Sequence, residues 1–158
     1  MNNTPAINIQ NLVKFYGKVQ ALRGVNLEVH CGEMFGFLGP NGAGKTTTIR
    51  CMLDLIRPQA GSIRVLDLDP QKQPVAVHSR VGYLPGELNL DTNMSGENAL
   101  RYLSQLRGNK VDWKFVSTLA ERLDLPLTLK IKNLSHGNKQ KIGVIQALMH
   151  RPELLLLD

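Results

Sequence analysis

The sequence predicts an α/β fold with a helical insertion in its second half. In the first third, apolar and polar residues alternate as in half-buried strands, most regularly at Val25, Leu27 and Val29. A short apolar stretch, residues 34–38, precedes a glycine-rich loop and a segment with helical spacing. From Ser95 onward, apolar residues recur every three or four positions, which is typical of helices.

The elements of the first half follow from these patterns. Residues 7–12 and 25–29 are predicted strands, and residues 34–38 are predicted to form a strand buried on both faces. The spacing of the next apolar residues predicts a helix over 45–56, and Arg57-Pro58 ends it, because proline disfavours helical geometry in the residue before it. Two short strands are expected after that helix, at residues 62–66 and 81–84.

Three helices and a final strand are predicted in the second half. Ser95 is a candidate N-cap for the first helix, and a second helix surrounds Val116 and Leu119. A third helix is predicted over about residues 138–150. The apolar run 154–157 predicts a buried strand that leads into Asp158.

Composition is that of an ordinary globular domain. The chain has 158 residues, 42% of them hydrophobic and 20% charged. No apolar stretch approaches the roughly 20 residues of a membrane-spanning helix, and no basic segment followed by an apolar one marks a secretory signal. Cys31 and Cys51 show no metal-ligand spacing and are expected to be reduced thiols. The net charge of +6 is mostly scattered and is interpreted as solvated surface charge.

The glycine-rich loop matches the phosphate-binding pattern G-x-x-x-x-G-K-[ST] at every fixed position. Glycines let several backbone N–H groups approach a polyphosphate, and the helix that follows adds its positive N-terminal dipole. Lys45 is expected to reach the β- and γ-phosphates, and the Thr46 hydroxyl to ligate Mg²⁺. The predicted nucleotide-binding residues of this loop are Gly39, Pro40, Asn41, Gly42, Ala43, Gly44, Lys45, Thr46 and Thr47.

Asp158 is the second predicted metal ligand. It follows a buried-strand pattern, and a carboxylate at the carboxyl end of a parallel strand is where phosphate-loop proteins hold Mg²⁺.

Three segments resemble those of ATP-binding cassette (ABC) proteins, and the first is the string GPNGAGKTTT, the form of the phosphate loop that this family favours. The string Leu134-Ser135-His136-Gly137-Asn138 is similar to the family signature L-S-G-G-Q, and Tyr16 lies where the family places an aromatic residue that stacks on adenine. The resemblance covers essentially the whole chain. It implies a P-loop NTPase core with an N-terminal antiparallel β subdomain, divided into residues 1–87 (β subdomain and core), 88–135 (helical subdomain) and 136–158 (signature helix and metal-ligand strand). A plain helix cap at Ser135 or Asn138 is the alternative interpretation of the signature, and an amphipathic tyrosine packed at a strand end is the alternative for Tyr16.

The resemblance also implies a function. The chain is expected to be the ATP-binding subunit of an ABC transporter, coupling Mg·ATP binding and hydrolysis to export through a separate transmembrane permease subunit. Two such domains are expected to sandwich ATP head to tail, with the signature of one on the γ-phosphate of the other. The expected location is cytoplasmic, peripheral at the inner face of the cell membrane through the permease.

The chain departs from the family pattern at three positions. His136 and Asn138 replace a glycine and a glutamine of the signature, and Gly86 stands where the family has a glutamine that senses Mg²⁺. Glu87 is therefore a further candidate metal ligand. These variants look most similar to the drug-exporter branch of the family.

The family's water-orienting glutamate would follow Asp158, so the 158-residue chain is expected to be a fragment that binds Mg·ATP but is impaired in hydrolysis. The alternative is a truncated, non-catalytic nucleotide-binding module. A nucleic-acid ATPase would place Lys130, Lys132, Lys139 and Lys141 against the nucleic acid, but no coiled-coil heptad run accompanies them, and no nucleic-acid partner is expected. A GTPase is excluded, because the nearest string to N-K-x-D lacks the aspartate.

Overall fold

The computed structural model describes residues 4–108 and 111–158. Contacts between residues divide the chain into two compact units. The first unit holds the residues up to Arg80 together with Asp158, and the second holds Val81–Leu157.

The first unit is built on a three-stranded antiparallel sheet. Its strands are β1 (Ile7–Tyr16), β2 (Val19–Val29) and β3 (Ala60–Val65), in the order β2-β1-β3. Ile9 on the central strand lies opposite Leu27 on one side and Ile63 on the other. Ile7 and Ile9 are almost fully buried, whereas Asn8 between them is half-buried and Gln10 is exposed, so the apolar face of the sheet is the more buried one. The predicted antiparallel β subdomain is confirmed.

Two helices complete the first unit. Helix α1 (Lys45–Met52) contacts β2 and β3 and buries its apolar side. Burial raises the pKa of the Cys51 thiol on that side, and the Lys14 ammonium opposes this rise in part.

Helix α2 (Pro74–Arg80) has no counterpart in the sequence prediction. It begins with a proline, which suits the first position of a helix, but its seven residues are too few for a clear apolar period.

Two predictions for the first unit are wrong. Residues 34–38 form no strand, and the Met34 and Leu38 side chains are fully or almost fully exposed. An apolar run becomes a buried strand only where a neighbouring strand pairs with it, and no described strand does so here. Helix α1 ends at Met52 rather than at residue 56, because Asp54 takes a left-handed conformation (φ 50°) that stops the helix before Arg57-Pro58.

The second unit contains a two-stranded parallel sheet. Strands β4 (Val81–Leu84) and β5 (Leu154–Leu157) pair from Val81 with Leu154 to Leu84 with Leu157. Both strands are predicted correctly, but β5 is not buried throughout, since only Leu156 is enclosed and Leu157 is 59% exposed. A parallel pair buries both faces only when other elements cover them.

Helices supply the core of the second unit. They are α3 (Gly96–Leu106), α4 (Trp113–Arg122) and α5 (His136–Leu148), with a 3₁₀ turn at Ile131–Asn133. Leu100, Val116 and Ile142, one from each helix, are fully buried in a single cluster. The Ser95 hydroxyl accepts a hydrogen bond from the Asn98 N–H at 3.1 Å, which confirms the predicted N-cap. Helix α5 begins two residues earlier than predicted, because Ser135 rather than a later residue caps it, and it ends at Leu148.

Within the described residues, every helix is too short or too polar to span a bilayer. Cys31 and Cys51 are free thiols, the first exposed and the second buried.

Candidate functional site

The glycine-rich loop leads directly into helix α1, as the sequence predicts. Gly44 is the N-cap of α1 and has a left-handed backbone, with φ 90°. A Cβ atom at this position would lie 2.5 Å from Leu22 Cδ2 and 2.9 Å from the Ala21 carbonyl oxygen, both on β2. Conformation and space therefore both require glycine where the loop becomes the helix.

Lys45, the first residue of α1, points its ammonium group back to the loop. Its Nζ donates hydrogen bonds to the carbonyl oxygens of Gly39 at 2.6 Å and Pro40 at 2.9 Å. The Ala43 N–H also donates to the Pro40 carbonyl, at 3.2 Å, which closes a turn within the loop. A positive charge and the N-terminus of a helix are thus brought together in one place, an arrangement that attracts anions.

Thr46 and Asp158, which are 112 residues apart in the chain, meet in the first unit. The Thr46 hydroxyl donates to Asp158 Oδ1 at 2.7 Å. The pair offers a hydroxyl and a carboxylate oxygen, the ligand atoms that Mg²⁺ prefers. The donor set therefore fits a magnesium ion of a nucleotide site, which takes few protein ligands and completes its shell with water and phosphate oxygens.

A groove of about 550 Å³ runs between the loop and the start of β2. It is lined by Val19, Gln20, Ala21, Asn41, Gly42, Gly44, Lys45, Thr46 and Thr47. Tyr16 lies at the end of β1 and pairs directly with Val19 across the hairpin. Tyr16 is 46% exposed, so part of its ring is accessible to solvent.

Two contacts near the end of β1 are absent from the sequence prediction. The Gln59 side chain accepts a hydrogen bond from the Phe15 N–H at 2.9 Å, and Lys14 Nζ donates to the Arg57 carbonyl at 2.6 Å. Neither residue belongs to a motif, and the bonded positions lie more than 40 residues apart, so no local pattern marks them.

The signature-like segment lies in the second unit, at the start of α5. The Ser135 hydroxyl accepts from the Asn138 N–H at 3.2 Å and caps the helix. His136 and Gly137 are exposed in the first turn, which contains no acidic residue, whereas Leu134 is buried in the core. The cap geometry agrees with either interpretation of this segment, because a capped helix N-terminus is also an anion-binding element.

Glu87 and the basic residues that the sequence analysis named also belong to the second unit. Glu87 is exposed three residues after β4. Lys130 and Lys132 are exposed, whereas Lys139 and Lys141 are half-buried on the first two turns of α5. The four lysines are therefore not equivalent surface charges.

Comparison with known proteins identifies the family of this chain. The family described as "ABC transporter" matches residues 22–158. An uncharacterized ABC transporter ATP-binding protein of Bacillus subtilis, YhaQ, is 39% identical over 96% of this chain. The daunorubicin resistance ATP-binding protein DrrA3 of Streptomyces coeruleorubidus is 36% identical over 97% of this chain. A relative of a drug-resistance type agrees with the predicted resemblance to drug exporters.

A solved structure of an ATP-binding subunit of an ABC transporter superposes with a TM-score of 0.84 at 27% identity. The match covers 98% of this chain and 66% of that one. The two curated relatives are longer still, since the match spans 51% and 50% of their lengths. The chain thus spans about half the length of the curated relatives it matches.

Proposed function

The chain belongs to the ABC transporter family of ATP-binding proteins, and from this premise we propose that residues 39–47, Tyr16 and Asp158 form a site for Mg·ATP. The observation that carries the proposal is the contact between Thr46 and Asp158 at the N-terminus of α1, beside the phosphate loop. It joins the residue after the loop lysine to a carboxylate from the far end of the chain, as a metal–nucleotide site requires.

Each residue has a distinct role in this site. The backbone N–H groups of Gly42 and Gly44 face the phosphates, and the α1 dipole favours their negative charge. Lys45 exchanges its bonds to the Gly39 and Pro40 carbonyls for the β- and γ-phosphate oxygens. Its present contacts hold the ammonium against the loop itself.

Thr46 and Asp158 would hold the magnesium ion, whose charge offsets that of the phosphates. Glu87 is a further candidate ligand, placed in the loop after β4. Tyr16 offers its exposed ring to adenine, a stacking contact of about 1–3 kcal/mol.

Hydrolysis needs a group that orients the attacking water, and the family places that glutamate after the position of Asp158. We therefore propose that residues 1–158 by themselves bind Mg·ATP and hydrolyse it slowly or not at all. A nucleotide-binding module without turnover is the second candidate function, and measurable single-turnover hydrolysis of bound ATP would argue against it.

The assembly is also a proposal. Two domains would sandwich ATP head to tail, with residues 134–138 of one on the γ-phosphate of the other, and a transmembrane permease subunit would use the cycle for export from the inner face of the membrane. The first turn of α5 is exposed and contains no acidic residue, which supports this role for the signature segment. The division into residues 1–87, 88–135 and 136–158 belongs to the same proposal.

Titration with a fluorescent ATP analogue, with and without Mg²⁺, tests the site. Lys45→Ala is expected to weaken binding about 10- to 100-fold, because charge-assisted hydrogen bonds to phosphate are lost. Lys72→Ala removes the same charge from an exposed lysine of the same unit and serves as the control. Asp158→Asn is expected to reduce the gain that Mg²⁺ confers without weakening metal-free binding, because the lost carboxylate would repel the phosphates when no metal is bound. Equal binding by Lys45→Ala and Lys72→Ala would refute the proposed site.

A further inference from the structure

The end of β1 that presents Tyr16 is fastened to the segment that follows helix α1. The Gln59 amide contacts the backbone of Phe15 twice, since its Oε1 accepts from the Phe15 N–H at 2.9 Å and its Nε2 donates to the Phe15 carbonyl at 3.4 Å. The Gln59 N–H donates in turn to the Val13 carbonyl at 2.8 Å. The residue immediately before Tyr16 is therefore held on both its backbone polar groups by one side chain.

Lys14 provides a second attachment. Its Nζ donates to the Arg57 carbonyl oxygen at 2.6 Å and lies over the Tyr16 ring, 5.5 Å from the ring centroid. This distance is within the range of a cation–π interaction. Lys14 is half-buried, and its bond to Arg57 connects the end of β1 to the segment that follows α1.

These contacts have two consequences for the Tyr16 ring as a surface on which a base can stack. The ammonium lies over the Tyr16 ring, and Tyr16 is still 46% exposed, so part of the ring remains accessible to a stacking base. The hydrogen bonds to Arg57 and Gln59 connect the end of β1 to the segment that follows α1. The first turn of that helix carries Lys45 and Thr46. The residues proposed to bind the base and those proposed to bind the phosphates are thus connected through α1 and the segment that follows it.

We propose that Lys14 and Gln59 are positioning residues that orient Tyr16 for the base of the nucleotide. The inference rests on the proposed Mg·ATP site. An exposed tyrosine at a hairpin end loses rotational freedom when a base stacks on it, and prior immobilisation removes that cost from the binding step. Loss of one attachment is expected to weaken ATP binding about 2- to 10-fold, the cost of ordering one side chain.

The test compares two ligands of the same phosphate loop. Mg·ATP has a base, whereas magnesium tripolyphosphate has the phosphates alone. Lys14→Met keeps the apolar stem and removes both ammonium contacts, and Lys14→Arg restores a cation. Lys18→Met makes the same charge change at an exposed lysine of the adjacent turn and is the control. Lys14→Met is expected to weaken ATP binding relative to Lys18→Met, while tripolyphosphate binding is the same in both variants.

A double-mutant cycle with Tyr16→Ala separates positioning from general destabilisation. If Lys14 acts through the ring, Lys14→Met has no further effect on ATP binding in the Tyr16→Ala background. Gln59→Ala should show the same base-dependent loss as Lys14→Met. Equal losses for ATP and tripolyphosphate, or additive effects in the cycle, would overturn the inference while the nucleotide site stands. A wild-type protein that binds neither ligand would overturn the proposed function itself.

Discussion

Replacing Gly44 by alanine tests the reason that a glycine stands where the phosphate loop becomes helix α1. Two costs add at this position. The left-handed backbone costs a non-glycine residue about 1–2 kcal/mol. The new Cβ would lie 2.5 Å from Leu22 Cδ2 and 2.9 Å from the Ala21 carbonyl oxygen. Leu22 is only 1% exposed, so neither neighbour moves away easily, and crowding of this kind costs about 1–3 kcal/mol.

Gly42→Ala is the matched control. Gly42 has a similar left-handed conformation, with φ 82°, but a Cβ there would meet nothing within 4 Å. We expect Gly42→Ala to lower the free energy of unfolding by about 1–2 kcal/mol and Gly44→Ala by about 2–5 kcal/mol. The lower entropy of the unfolded chain favours both variants equally and cancels in the comparison.

Urea denaturation followed by circular dichroism, without nucleotide, measures both values. Since the variants share the backbone penalty, their difference isolates the contact with Leu22 and Ala21. Equal losses of stability in Gly42→Ala and Gly44→Ala would refute the reasoning, because the close approach of β2 would then have no energetic consequence.

Three further predictions concern the second unit. Ser95→Ala should lower the free energy of unfolding by about 1 kcal/mol, because the Asn98 N–H loses its cap, and an unchanged urea midpoint would contradict this. Ile142 is fully buried in the helical core, so Ile142→Ala should cost about 2–5 kcal/mol in the same assay, and a loss below 1 kcal/mol, as for a surface substitution, would argue against its burial. Burial and the nearby charge of Arg107 lower the pKa of His150, so the unfolded chain binds a proton more readily and stability falls as the pH drops below about 6.5. His150→Gln should flatten this slope in unfolding experiments between about pH 5 and pH 7.5, whereas an unchanged slope would assign the titration to another group.

Local patterns predicted those parts of the fold that local physics forms. The phosphate loop is recognisable because each glycine and the lysine are needed within eight consecutive residues. The Ser95 cap is likewise a contact between residues three positions apart. The prediction of a strand over residues 34–38 is wrong. An apolar pattern indicates that side chains tend to be buried, but it does not indicate whether a partner strand lies beside them.

The sequence by itself determined the family and the candidate residues for a nucleotide site, since these depend on motifs read along the chain. Tertiary structure alone decided how those residues are held. Thr46 meets Asp158 across 112 residues, and Lys14 and Gln59 reach across more than 40 residues to fix the end of β1. Such contacts arise from the register of strands and the place where a helix ends. Hydrophobic periodicity cannot predict them, because it indicates only which residues of one helix or strand share a face.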